Sequence, residues 1–188
     1  MGTMRSMGPY EIDHSPDRVD PDAVWQFLAT EAYWSRWRSR DDVQRPIQGA
    51  WRVVGCYDGQ GYMVGFARAL SDGVALAYLA DVYVLEDHRG RGLGRALLEE
   101  MIEDGPGKDF RWLLHTADAH GLYRQFGFTA PDATIMERAS HRLTRANPPG
   151  ARPLVPPLLG QSRRAWGVQQ GADWSRYQPG PQLTDRPM

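Results

Sequence analysis

Residues 81–98 read DVYVLEDHRGRGLGRALL, and this stretch limits what the rest of the chain can fold into. An alternating apolar run stops at Glu86-Asp87, a loop with glycines at 90, 92 and 94 follows, and a sequence suited only to a helix begins directly after it. Strand, glycine-rich turn and helix start in succession set a helix N-terminus at the end of a sheet strand. The first N–H groups of a helix have no intrahelical acceptor, and the helix dipole makes that end attractive to an anion. Glycine lets the main chain come close to such an anion, and Arg89 and Arg91 add formal positive charge beside it. The stretch reads as a phosphate cradle. It is neither the G-x-G-x-x-G dinucleotide fingerprint nor the G-x-x-x-x-G-K-S/T nucleotide loop, since neither spacing is present.

Arg89, Gly92 and Gly94 follow a strand and precede Arg95-Ala96-Leu97-Leu98, and Leu122-Tyr123 lies just ahead of Gly127-Phe128. Together these two segments resemble the pyrophosphate loop and the "LYxxxGF" segment of the GNAT superfamily of acetyl-CoA-dependent N-acetyltransferases. The resemblance covers about residues 10–138. It implies a mixed, mostly antiparallel α/β sheet of six or seven strands with about four flanking helices. It also implies acetyl-CoA as co-substrate, held at its pyrophosphate by Arg89, Gly90, Arg91, Gly92, Leu93, Gly94 and Arg95. Val82, Tyr83 and Val84 are then expected to present main-chain groups to the pantetheine arm. The family role of Tyr123 is general acid, returning a proton to the thiolate.

A carboxylate on the cofactor strand is costly to bury without a purpose, and Asp81 is the candidate general base. Hydrogen bonding to a neighbouring loop is its other reading, and His115 and His120 flank the same region. Tyr33, Trp34 and Trp37, between the first two helices, are candidates for the acceptor pocket, where rings stack on a flat or cationic amine. They serve equally as staples for two short helices. The expected activity is transfer of acetyl from acetyl-CoA to a primary amine of a small molecule or peptide, by direct attack in a ternary complex. Cys56 has no base near it in sequence, which disfavours an acyl-cysteine route. The alternative reading is a non-catalytic acyl-CoA-binding regulatory module. A homodimer is an expectation from the resemblance alone.

The chain has 188 residues, enough for one domain with a core, and a formal net charge of -1 that gives no reason to invoke nucleic acid. One cysteine excludes an internal disulfide and a cysteine metal cluster, in keeping with a cytoplasmic setting, and no metal is expected. Lys108 is the one lysine among 22 basic residues, a bias that suggests a bacterial source. No apolar run approaches the ~18 residues of a membrane span. The start MGTMRSM lacks the apolar core of a secretory signal, although Gly2 and Ser6 match a myristoylation pattern.

Residues 1–9 are expected as a flexible leader, 10–139 as the acyl-CoA-dependent domain and 140–188 as a proline- and arginine-rich extension. An edge strand is predicted at 10–14, and a helix capped by Asp20 with Pro21 at its first position follows. A short helix over 41–44 is predicted to stop near Pro46. Strands at 50–57, 62–70 and 75–84 form a meander. A helix over 93–103, a strand over 110–115, a helix over 120–126 and one further strand over 135–139 complete the reading.

Overall fold

The computed structural model describes residues 5–32, 34–35 and 38–138. Six strands, β1 (Arg5–Met7), β2 (Tyr10–Asp13), β3 (Arg52–Tyr57), β4 (Met63–Ser71), β5 (Leu76–Val84) and β6 (Arg111–Leu113), form one sheet in chain order. All neighbours are antiparallel except β5 and β6, which run parallel. Four helices flank it: α1 (Pro21–Thr30), α2 (Arg40–Gln48), α3 (Leu93–Leu98) and α4 (His120–Arg124). This is the mixed, mostly antiparallel α/β architecture anticipated. Among the described residues no helix is long and apolar enough to cross a membrane.

The turns of the meander follow from single side chains. Asp58 Oδ1 accepts the N–H groups of Gln60 and Tyr62, and Asp72 Oδ1 accepts those of Val74, Ala75 and Leu76. These three donors hold the exposed Asp72 carboxyl down to about 2. β3 and β4 are nearly continuous apolar runs because both faces of the sheet are covered there. On one face Val54, Cys56, Val64, Ala67, Ala69 and Leu79 pack under Leu93, Leu97 and Met101 of the α3 region and under Tyr123 of α4. On the other, Val53, Tyr57, Phe66 and Tyr83 meet Val24, Phe27 and Leu28 of α1 and Val43 and Ile47 of α2. Phe27 stacks on Tyr83 with ring centroids 3.9 Å apart.

Several expectations on element boundaries are corrected. Residues 5–7 of the expected leader form β1, so β2 is a second strand and not an edge; Arg5 is tied to Glu99 at 2.8 Å. α2 runs through Pro46, because the Ser39–Asp42 capping box secures its start, and buried Val43 and Ile47 anchor it across the missing donor. β6 is shorter than predicted, α4 ends at Arg124, and residues 135–138 are not a strand. The helix over 93–103 continues past α3 as a π turn, Glu99–Glu103, which lets buried Glu100 meet His14 at 2.8 Å and Arg52 at 2.9 Å. The 140–188 extension lies outside the described residues.

α3 lies close on the sheet at Gly65, where an added Cβ would stand 3.1 Å from Tyr83 O and 3.2 Å from Leu97 Cδ1. Gly65→Val is therefore expected to lower stability by about 1–3 kcal/mol through overpacking, read from chemical denaturation midpoints against the parent.

Candidate active site

β5 pairs with β6 only through Leu76↔Arg111, Ala77↔Trp112 and Tyr78↔Leu113. From Leu79 to Val84 it runs on without that neighbour, still bonded to β4 on its other side. The two parallel strands part, leaving a length of β5 edge open. Because Leu85 N–H donates to Val64 O at 2.9 Å, ladder alternation turns the main-chain groups of Val82 and Val84 toward this open edge and those of Tyr83 toward β4. Arg89 Nε donates to Val84 O at 2.9 Å. Of the three residues predicted to meet a pantetheine arm, Val82 turns both main-chain groups and Val84 its N–H to the gap, the Val84 carbonyl being taken by Arg89, and Tyr83 turns neither.

The strand is kinked within this length. Asp81 has φ +51, the single positive-φ residue other than glycine among the described residues, and the β4–β5 register slips between Phe66 and Arg68 beside it. Aspartate is among the few side chains that tolerate this left-handed region. Its carboxylate is buried and fully engaged. Arg68 Nε donates to Oδ2 at 2.6 Å, Arg38 Nη1 lies 3.0 Å from both oxygens, and Trp34 Nε1 is 3.4 Å from Oδ1. With both oxygens committed to guanidinium groups, the geometry fits an anchor for the kink better than an acceptor for a substrate proton.

At the end of β5 the chain passes through a 3-10 turn, Glu86–His88, into the glycine loop. Gly90 and Gly92 take φ +74 and +79, so each is required by conformation as well as by space. A Cβ at Gly90 would meet nothing within 4 Å, and one at Gly92 would approach only Met7 Cε at 3.7 Å, so side chains there would stand in the open mouth of the turn. The first helical bond is Ala96 N–H to Gly92 O at 3.0 Å, which leaves the N–H groups of Leu93, Gly94 and Arg95 ahead of it. Arg89, Arg91 and Arg95 are exposed around this end. The donor set, mouth and charge fit a pyrophosphate.

Tyr123 belongs to the same side of the sheet. It is buried in the cluster that holds Leu93 and Leu97, against which Val82 and Val84 pack. Two contacts fix α4 to the start of α3: Arg95 Nη1 to Gln125 Oε1 at 3.2 Å, and Leu122 beside Gly94. The cradle, the open edge and Tyr123 are therefore brought together. Asp81 and Trp34 lie across the sheet with Arg38 and Arg68. Tyr33 and Trp37 lie outside the described residues.

Two groups were missed from sequence. Arg68 breaks the apolar run of β4 just as Asp81 breaks that of β5, and two opposite charges in adjacent buried strands are a signal for a pair. Tyr78 Oη lies 2.7 Å from His115 Nδ1, and nothing in the periodicity links those positions. Asp81→Asn is expected to cost about 3–5 kcal/mol of stability by leaving Arg68 buried without its counter-charge. Unfolding curves that match the parent, with activity lost, would instead mark Asp81 as a pure proton acceptor.

Comparisons with known proteins bear on the family. The family profile described as "Acetyltransferase (GNAT) family" matches residues 17–128. A rice protein named serotonin N-acetyltransferase 2, chloroplastic, is 38% identical over 138 residues, 71% of this chain and 68% of that protein. A Gibberella zeae protein whose name proposes an acetyltransferase is 33% identical over 82 residues, 44% of this chain, so that the chain spans only 45% of that relative. The crystal structure of a Xanthomonas campestris protein assigned to the GNAT family superposes with a TM-score of 0.67 at 33% identity, covering 72% of this chain and 96% of that one. With its profile match, its open β5 edge and its glycine turn, the chain belongs to the GNAT family of acetyltransferases.

Proposed function

We propose that the protein transfers acetyl from acetyl-CoA to a primary amine of a small molecule or peptide, by direct attack in a ternary complex. The observation that carries this reading is the open β5 edge leading into the glycine turn at the start of α3, with Tyr123 on the same side. Acetyl-CoA supplies an activated thioester. Leu93, Gly94 and Arg95 N–H groups, with Arg89, Arg91 and Arg95 side chains, bind its pyrophosphate. Val82 and Val84 align the pantetheine arm by main-chain bonds, as a strand would add to a sheet.

The acceptor approaches from the α1–α2 side, where Trp34 is half-buried beside Asp81. Its nitrogen attacks the thioester carbon, the C–S bond breaks, and Tyr123 delivers a proton to the departing sulfur. Asp81 holds the kinked strand in place during this step. The name of the rice relative supports including indole-ethylamines among the acceptors tested.

An acyl-cysteine route is disfavoured by chemistry as well as by position. Burial pushes the Cys56 thiol up to about 12, so it carries almost no thiolate at neutral pH, and it has no access to the open edge. Release of free thiol should be followed with acetyl-CoA and a panel of indole-ethylamines, polyamines and peptide amines. Transfer to at least one amine is expected, with Cys56→Ala retaining the parent rate and Tyr123→Phe lowering kcat by about 100-fold. Thiol release that never depends on an amine would contradict transfer.

A further inference from the structure

The open gap between β5 and β6 begins at Tyr78, the last β5 residue paired to β6. Leu79 points into the α3-side core, so alternation turns Tyr78 to the opposite face, the one that carries Arg68, Asp81 and the approach to α1 and α2. Its phenol is not idle there. Tyr78 Oη lies 2.7 Å from His115 Nδ1, just after β6, and His115 Nε2 faces Glu137 Oε2 at 3.6 Å. These three side chains form a line from the half-buried mouth of the gap to solvent, since the His115 and Glu137 side chains are 67% and 70% exposed.

We infer that Tyr78 and His115 form the proton exit for the acceptor amine: the phenol contacts the nitrogen, and the imidazole passes the proton to water. This rests on the transfer reading given above.

The main charges acting on Tyr78 are Asp81 on its own strand, Glu137 from the segment after α4, Arg68 from β4 and Arg38 from just ahead of α2. Burial first, and then the Asp81 carboxylate, hold the phenol above its ordinary ionisation range. A phenol that keeps its proton donates to His115 Nδ1, so the neutral imidazole carries its own hydrogen on Nε2, the side that Glu137 faces. That tautomer is ready to accept. As one ammonium proton of the substrate moves to the Tyr78 oxygen, the Tyr78 proton moves to His115 Nδ1, and Glu137 stabilises the imidazolium until it gives its proton to water. The free nitrogen then attacks. Its second proton leaves as the tetrahedral adduct collapses, balancing the one that Tyr123 puts on sulfur, so the products are amide, thiol and one proton in solution.

Tyr78 is thereby a catalytic residue, and His115 a relay residue that acts through it. This also relieves Asp81 of the role of base, which its two guanidinium partners oppose.

The test is the pH profile of kcat/KM for an amine the parent accepts, with parallel profiles for His115→Gln, Tyr78→Phe and the double variant. His115 is exposed and Phe preserves the packing of Tyr78, so all are expected to fold and to bind acetyl-CoA with parent affinity. At pH 7 each single variant should fall about 100-fold. The loss should shrink toward pH ~10, where the amine begins to shed its own proton to water. The double variant should be no worse than Tyr78→Phe alone. His115→Gln within twofold of the parent across the range would overturn the relay while leaving acetyl transfer intact. A parent that binds acetyl-CoA yet acetylates no amine would overturn the transfer reading and the relay with it.

Discussion

The whole site turns on one strained residue and the charges that hold it. Asp81 sits at φ +51 in a strand whose residues alternate between buried and half-buried. A left-handed non-glycine residue costs on the order of 1–3 kcal/mol, and it persists only where its surroundings over-determine it. Here they do. Arg68 and Arg38 grip both carboxylate oxygens, with charge-assisted bonds of 2.6 and 3.0 Å. Beside this residue the β4–β5 register slips at Phe66/Arg68, and β5 runs on past its last pairing to β6. An edge that most sheets would cover is left with main-chain donors and acceptors facing a gap. In the proposed reading, this interrupted pairing is where a strand-like arm would be admitted.

Around that gap the two faces of the sheet divide the work. The α3 face carries the anion-attracting helix start, the exposed arginines and Tyr123, fixed to one another through Leu122 against Gly94 and through Arg95 to Gln125. The α1 face carries Trp34, Arg38, Arg68 and the Tyr78–His115 pair. The glycine turn is ringed by exposed arginines, whereas the α1 face carries a mixture of aromatic and paired charged groups. Under the proposed transfer, such a division would bring two substrates to one carbon from opposite sides.

What the sequence disclosed was what local physics makes compulsory. The glycines at 90 and 92 were legible because positive φ leaves little choice, and the meander was legible because apolar runs bounded by Asp-Gly turns carry their own rules. Tyr123 stands out from its segment, and the structure places it in the α3-side cluster. Long-range pairing was not legible. Arg38 reaches Asp81 from 43 positions away, and His115 reaches Tyr78 from 37 away, with no period that could announce either. β1 escaped notice because three largely exposed residues give no alternating signal, and Pro46 appeared to end α2 because a breaker rule is blind to a capped start and a buried face. Asp81 stands out in the sequence as a carboxylate on an apolar strand, but its pairing with Arg68 and Arg38 shows only in the structure.

Calorimetric titration of acetyl-CoA into the purified protein, beside Gly92→Glu, tests the central claim most directly. A side chain at 92 is strained by φ +79 and stands in the mouth of the turn, and a carboxylate there would repel phosphate. Saturable binding by the parent, reduced at least 100-fold in a variant that still melts cooperatively, is the result expected. Equal affinity in the two proteins, or a folded parent that binds no acetyl-CoA, would contradict the assignment of the cradle and of everything built on it.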